Sequence, residues 1–396
     1  MKELKTKIEQ LAKKHTPAMI ELRRTLHQNP EIAHEESETQ KMIALRLKQA
    51  RCTVKTNIWE NAVLGLLKGH GKGKTIAIRS DMDALPVTEK TGYRFASKNP
   101  GKMHACGHDA HMAIVWGVAK ILSEIKDELK GNVKFIYQPA EELPPGGSKF
   151  LIEKGVLEKP KVDMMFGVHV DPDIPVGKAG FYDGSMMAEP DDFTIEIIGK
   201  SGHAARPHET VDAVVVAANV VTALQNISSR QVDPVNPIVL TIGTINGGVA
   251  TNIIAESVIM QGTVRMLDKN LARNIKSMIE KIIGGVCRTY GATYTFDFLK
   301  GYPNLVNDKR INDIFRKATA DLYGKKAIYE IPDPVLGGED FAHYAQKVPS
   351  AMFRLGIGNK QIGADKPWHH PQFKLDESAI PFAAALLAYG VVLGIE

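Results

Sequence analysis

The chain has 396 residues, 44% hydrophobic and 24% charged, with 34 Gly and 21 Pro in no repeating pattern. At about 150 residues per domain this predicts a soluble globular protein of two or three domains, and it excludes a disordered, collagenous or coiled-coil chain. A formal charge of +5 does not predict a nucleic-acid partner, because the lysines are interspersed with acids and form no basic block.

The opening stretch MKELKTKIEQLAKKH is charged throughout and has no apolar core before a small-residue site, so no signal peptide is expected. Residues 1–50 read as helix, with Leu4, Ile8, Leu11, Met19, Leu22 and Leu26 at helical spacing. Short β-rich runs at 62–67, 75–79, 133–137 and 164–170 then alternate with helical runs at 111–129 and 147–153. That alternation predicts an α/β domain with a mostly parallel sheet. Three of its strands are expected to end in polar residues: Asp81, the 138–142 segment and His169. Carboxyl ends of such strands are where sites are built.

From 191 onward the order becomes strand 193–198, helix 211–226, strands 238–245 and 257–266, helix 271–290 and strand 292–298. This βαββαβ order predicts an inserted ferredoxin-like α+β domain. The expected layout is a catalytic domain from 1–184 and 299–396, interrupted by an inserted domain at 185–298. The apolar run 380–395 is broken by Pro381 and Gly390 and falls short of the roughly 20 residues of a bilayer span. It is read as a buried terminal helix, with no membrane partner. Three cysteines, Cys52, Cys106 and Cys287, form an odd, sparse set that suits a reducing, cytoplasmic setting better than a disulfide framework.

The candidate chemistry is concentrated in a few segments. Residues 103–111, MHACGHDAH, carry three His, one Cys and one Asp just before a helical run. Cys and His are ligands that zinc and similar metals favour, and a two-residue offset across Gly107 puts Cys106 and His108 within reach of one ion. The alternative is a solvated loop with a buried free thiol. Glu141 and Glu142 are adjacent carboxylates at a strand end that need a cation or a shared proton, or else form an exposed acidic turn. His169 ends an apolar strand, where it is either a ligand or a satisfied core residue. His369 and His370 stand in a loop-like stretch. Together these residues supply ligands for one or two metals and a spare carboxylate to act as general base on a metal-activated water.

Nine ordered strings, RSDMDALP (79–86), MHACGHDAH, QPAEE (138–142), GVHV (167–170), SGHAARPH (201–208), GTINGGVATNII (243–254), QGTVRMLD (261–268), GGEDF (337–341) and HHPQF (369–373), resemble one family. It is the metal-dependent aminoacylases and amidohydrolases that include hippurate hydrolase, plant hydrolases of indole-acetyl-amino-acid conjugates and related archaeal carboxypeptidases. The resemblance implies a zinc-peptidase-like catalytic domain with two divalent ions per subunit, zinc first, with manganese, cobalt or nickel as alternatives. Cys106 would bridge them, with His108, Glu142, His169 and His369 as further ligands and Glu141 as general base. Asp83 would orient a ligating neighbour. Asp81 stands where more distant relatives have a metal-binding His, which leaves its role open, and the His-X-Pro pattern favours His369 over His370.

The resemblance also implies that His203 stabilises the oxyanion and that Asn252 contacts the substrate carbonyl. Arg265 is a candidate grip for a substrate carboxylate, or else a cross-strand ion pair with Asp268. The implied activity is hydrolysis of the amide bond of N-acyl-L-amino acids. Carboxypeptidase action on short or N-blocked peptides is one alternative, and non-catalytic binding of an acyl amino acid is another. A homodimer or higher homo-oligomer through the inserted domain is implied.

Overall fold

The structure is a computed structural model that describes residues 2–395. Two compact units divide the chain, one formed by 185–305 with 335–339 and the other by the remaining described residues. The boundary lies at Leu305, beyond the expected 298. Among the bonds that hold 299–305 to the inserted unit, Lys300 Nζ donates to Glu189 Oε1 at 2.8 Å, Gly301 N–H to Asp191 Oδ1 at 2.9 Å and Asn304 Nδ2 to the Met266 carbonyl at 2.6 Å. The chain returns to this unit at 335–339, where Ala188 N–H donates to the carbonyls of Val335 and Gly337.

The larger unit is built on one eight-stranded sheet in the order Thr53–Thr56, Val63–Lys68, Asn132–Gln138, Thr75–Asp81, Met164–Pro175, Ser350–Gly358, Ala179–Phe181, Ile328–Glu330. The four central strands run parallel, Val63–Lys68 and Ala179–Phe181 join them antiparallel on either side, and the outermost Ile328–Glu330 pairs parallel with Ala179–Phe181. Thr75–Asp81 is buried along its whole length, as is most of Ser350–Gly358. Near-continuous burial of this kind belongs to strands covered on both faces.

The helical reading of 1–50 resolves into two helices, Lys2–Gln28 and Ser37–Gln49. Pro30 cannot continue the first. The second is capped by the Glu31 carboxylate, which accepts from Glu38 N–H at 3.1 Å and Thr39 N–H at 2.8 Å. The helix expected over 111–129 is His108–Glu124, followed by a single 3-10 turn. Its first turn is polar yet buried, which hides it from a search for apolar spacing. It packs against Lys2–Gln28, the strand Thr75–Asp81 and the helix Ala379–Ile395. That last helix is apolar all round and almost wholly buried. Each such Leu or Ile contributes about 1.5–3 kcal/mol on burial. No helix among the described residues is long and apolar enough to cross a membrane.

The smaller unit is an antiparallel sheet ordered Ile238–Gly247, Ser257–Met266, Glu189–Ile198, Thr293–Leu299, with helices Ala213–Asn226 and Lys269–Tyr290. The connectivity is βαββαβ. Alternation along Glu189–Ile198 turns Phe193, Ile195 and Ile197 into the same cluster as Val216, Val220, Ile275 and Ile279 of the helices. Asp212 and Asp268 cap those helices through their carboxylates.

Candidate metal centre

Gly107 sets the geometry of the site. It precedes the helix His108–Glu124 with φ +87°, and a Cβ there would lie 2.5 Å from Val170 Cγ2. Both the left-handed backbone and the close approach call for glycine. The approach brings Cys106 against the strand Met164–Pro175, with Sγ 3.5 Å from His169 Nε2. His169 is inside this strand, not at its end: the neighbouring Thr75–Asp81 stops pairing at Gly167, while Ser350–Gly358 pairs beyond His169.

The imidazole tautomers follow from their partners, because a carbonyl only accepts. His108 Nδ1–H donates to the Asp83 carbonyl at 2.8 Å, and His169 Nδ1–H to the Val170 carbonyl at 2.8 Å. Each turns Nε2 inward, the nitrogen whose lone pair serves a metal once it carries no proton. His108 Nε2 lies 3.9 Å from Glu142 Oε1 and 4.0 Å from Glu141 Oε2, and His369 Nε2 lies 3.3 Å from Glu142 Oε1. The loop bearing His369 is tied in by its N–H to the Ala105 carbonyl at 2.9 Å and by Trp368 Nε1–H to the Val170 carbonyl at 2.9 Å. His370 turns to its own loop, accepting from Gln372 N–H at 3.0 Å.

Two of the resulting ligand groups share one atom. Cys106, His108 and His169 form one, and Cys106, Glu142 and His369 form another; within each, the donor atoms lie within 4.8 Å of one another. His108, Glu141 and Glu142 make a third. His108 Nε2 and Glu142 Oε1 are buried without a hydrogen-bond partner among the described residues. Such orphans are costly in a dry interior unless something else satisfies them. Donor atoms sharing a zinc-sized ion at about 2.0–2.3 Å stand about 3.3–3.7 Å apart in a tetrahedron, close to the spacings here. The residues therefore fit a divalent metal.

The electrostatics agree. Burial lowers the affinity of His108 for a proton, yet the carboxylates of Asp81 and Asp83 outweigh it and push the ring up to about 10. Burial, with the charges of Glu142, Glu141 and Asp81 behind it, holds the Cys106 thiol well above its ordinary value. A field that holds on to protons so firmly also attracts a dication, which deprotonates a coordinating thiol.

Asp81 and His111 have a different place. His111 Nε2 accepts from Val170 N–H at 2.9 Å, so its proton is on Nδ1, which donates to Asp81 Oδ1 at 2.7 Å. With both nitrogens committed, His111 is an anchor for the His169–Val170 peptide and offers no lone pair to a metal. Asp81 Oδ2 accepts from Arg79 Nη1 at 2.7 Å, and Arg79 Nη2 donates to Asp340 Oδ1 at 2.7 Å. Burial alone would raise Asp81, but His108, His111 and Arg79 hold it well below the usual carboxylate range. Asp83 accepts Glu142 N–H through Oδ2 at 2.9 Å while its carbonyl holds His108. His111 is a functional residue that the motif reading misses, although its three-residue offset from His108 on one helix is a signal for it.

In the smaller unit, His203 is exposed on the short strand Gly202–His203, paired with Ile253–Ile254, and its Nδ1 accepts from Ala205 N–H at 3.1 Å. Asn252 is its neighbour there, its carbonyl accepting from Ala204 N–H at 3.1 Å. Arg265 Nη1 donates to the Leu336 carbonyl at 2.9 Å, while Asp268 caps its own helix.

A parallel α/β sheet with a thiol, imidazoles and carboxylates gathered about buried orphan atoms defines a metal-dependent hydrolase. The model of "Peptidase family M20/M25/M40" matches residues 77–391. A thermostable carboxypeptidase 2 of Saccharolobus solfataricus is 40% identical, over 93% of this chain and 94% of that protein. An N-acetyl-L-cysteine deacetylase of Bacillus subtilis is 38% identical, over 93% and 86%. A crystal structure described as a dinuclear metal-binding peptidase from M20 family, from Bacillus subtilis, superposes with a TM-score of 0.84 at 34% identity, covering 97% of this chain and 99% of that one. The chain belongs to peptidase family M20/M25/M40.

Proposed function

We propose that the protein hydrolyses the amide bond of N-acyl-L-amino acids, releasing a carboxylic acid and an amino acid. The observation that carries this reading is the Cys106 thiol shared by two ligand groups, with Glu141 beside them. Cys106, His108, Glu142, His169 and His369 would hold two divalent ions, zinc first, with manganese, cobalt or nickel competing through availability. Such ions lower the pKa of water and polarise an amide carbonyl. Glu141 takes the proton of the attacking water at its carboxylate and delivers it to the leaving nitrogen, serving as base and then acid. Asp83 keeps His108 in its Nδ1–H form. His203 donates a hydrogen bond to the oxyanion, Asn252 contacts the substrate carbonyl, and Arg265 is the candidate grip for the substrate carboxylate.

In this reading the larger unit is catalytic and the inserted one is a lid through which copies associate as a homodimer or higher homo-oligomer. Three free cysteines, all buried, support a reducing, cytoplasmic setting. The similarity to a carboxypeptidase supports a second reading, release of C-terminal residues from short or N-blocked peptides. Membership of a peptidase family sets aside the non-catalytic alternative.

A panel of N-acetyl and N-benzoyl amino acids beside blocked dipeptides, assayed after chelation and return of zinc, cobalt or manganese, separates the two readings. Turnover confined to blocked dipeptides would overturn the first. Glu141→Gln is expected to keep its metal and lose about 10²–10⁴-fold in kcat; near-normal turnover removes Glu141 as the base.

A further inference from the structure

Glu36 is one of three acids in the run HEESET at 34–39, with no local pattern that distinguishes it from its neighbours. In the structure it is fully buried, 0% exposed, although it is an acid at the start of a helix. Its carboxylate does not cap that helix, since Glu31 does so. Instead Oε1 accepts from Ala140 N–H at 2.9 Å, and Oε2 accepts from Asn61 Nδ2 at 3.1 Å. Asn61 is itself anchored to the His34 carbonyl at 3.1 Å.

The recipient of this contact is unusual. Ala140 is a buried alanine with φ +56°, a left-handed conformation that a Cβ disfavours. It sits directly before Glu141 and Glu142, at the point where the chain leaves the strand Asn132–Gln138. Its carbonyl accepts Gly147 N–H at 3.2 Å, closing the turn, and Asp83 Oδ2 takes Glu142 N–H at 2.9 Å on the far side. A strained residue beside two functional acids persists only when its surroundings over-determine it. Those surroundings include one buried carboxylate, Glu36, which takes the N–H of the strained residue itself from a distant part of the chain.

We infer that Glu36 is a positioning residue: by accepting the Ala140 N–H it holds the left-handed turn that presents Glu141 as base and Glu142 as ligand. The inference rests on the reading of those two acids given above. Reach, rather than charge, is what the contact requires. Burial, assisted by the charge of Asp83, raises the Glu36 carboxyl to about 7, so its neutral form is accessible and a carboxamide oxygen serves the same N–H.

The test separates reach from charge with two variants that both keep a polar side chain of similar size. Glu36→Asp keeps the charge and withdraws the acceptor by one methylene. Glu36→Gln keeps the reach and removes the charge. Each is measured for zinc affinity of the stripped protein, for kcat and KM at saturating metal, and for thermal unfolding. Glu36→Asp is expected to weaken zinc binding and lower kcat by about 10-fold or more, with KM within about twofold, the scale of outer-sphere losses. Glu36→Gln, whose one oxygen still serves Ala140 N–H while its Nε2 faces the Asn61 amide, is expected to lose less than Glu36→Asp in both. Placing Ala140→Gly in the Glu36→Asp background should recover a part of the lost kcat, because glycine adopts φ +56° without the Cβ penalty.

Wild-type zinc affinity and kcat in Glu36→Asp, or a loss in Glu36→Gln as large as in Glu36→Asp, would overturn the inference. Parallel measurement of Glu141→Gln keeps the two failures apart. If that variant is inactive while Glu36→Asp is normal, the positioning role is wrong and the base assignment stands. If Glu141→Gln is active, the base assignment itself has failed.

Discussion

Replacing His111 by phenylalanine tests whether the anchor under His169 is structural or ligating. The ring volume is nearly kept, so the cavity cost is small. Two polar groups lose their partner: the buried Val170 N–H, and Asp81 Oδ1, which stays beside Arg79. An orphaned buried donor costs about 1–3 kcal/mol, and loss of a hydrogen bond to a charged group about 1.5–3 kcal/mol. Because Arg79 still pairs with Asp81, about 3 kcal/mol is expected in total. All three tryptophans, Trp59, Trp116 and Trp368, are in the larger unit, so urea unfolding of the metal-stripped protein followed by their fluorescence reports on this unit alone. His111→Phe should shift that transition while the metal stoichiometry stays the same, with affinity weakened about 10–100-fold. The opposite pattern, metal-free stability within about 0.5 kcal/mol of the parent together with loss of one ion per chain, would make His111 a ligand and refute the tautomer argument.

Cys106→Ser should lose bound metal on dialysis, because a hydroxyl is a poor bridging ligand; full occupancy by elemental analysis would dismiss the shared thiol. His369→Ala should weaken metal binding, whereas His370→Ala should leave it unchanged, since only the first faces Glu142; equal effects in isothermal titration would contradict that placement. In the smaller unit, burial pushes Asp191 up to about 6, only partly offset by Gly301 N–H, and its Oδ2 has no hydrogen-bond partner among the described residues. A carboxyl raised above its unfolded value of about 3.9 favours folding below that pH and loses the contribution as pH rises through about 6. Asp191→Asn should therefore stabilise this unit at pH 8 by about 1–2 kcal/mol, with the gain gone near pH 4, in melts followed by circular dichroism. An unchanged gain across that range would show that the ionised carboxylate is not the source.

Much of the site could be read along the chain because its ligands cluster locally. Cys106 and His108 are two residues apart, Glu141 and Glu142 are adjacent, and strand-helix alternation is a strong signal in long apolar runs. The alternation also marked the inserted βαββαβ order before any contact was known. What could not be read depends on side-chain direction across the fold. Apolar spacing starts the central helix at 111, because nothing in the composition of His108, Asp109 and His111 says that a polar first turn is buried. His169 reads as the end of a strand because the apolar run 164–170 gives way to Asp171 and Pro172, whereas pairing with Ser350–Gly358 carries the strand on to Pro175. The roles of Glu36 and His111 are set by single hydrogen bonds to backbone groups far away in sequence, Ala140 and Val170 N–H, and that of Asp81 by the side chains of Arg79 and His111. No local pattern encodes a bond of that kind.

The contact between Gly107 and Val170 bears on how the protein can change. A substitution at Gly107 meets two separate obstacles, the 2.5 Å approach to Val170 Cγ2 and the backbone at φ +87°. Trimming Val170 to alanine or glycine removes the first and leaves the second untouched. A compensating pair of mutations therefore does not exist in the usual sense, and diversification around the thiol is confined to positions other than 107. Libraries built to alter substrate choice should hold that glycine fixed and spend their variation on the exposed segment around His203, where the backbone imposes no such double lock.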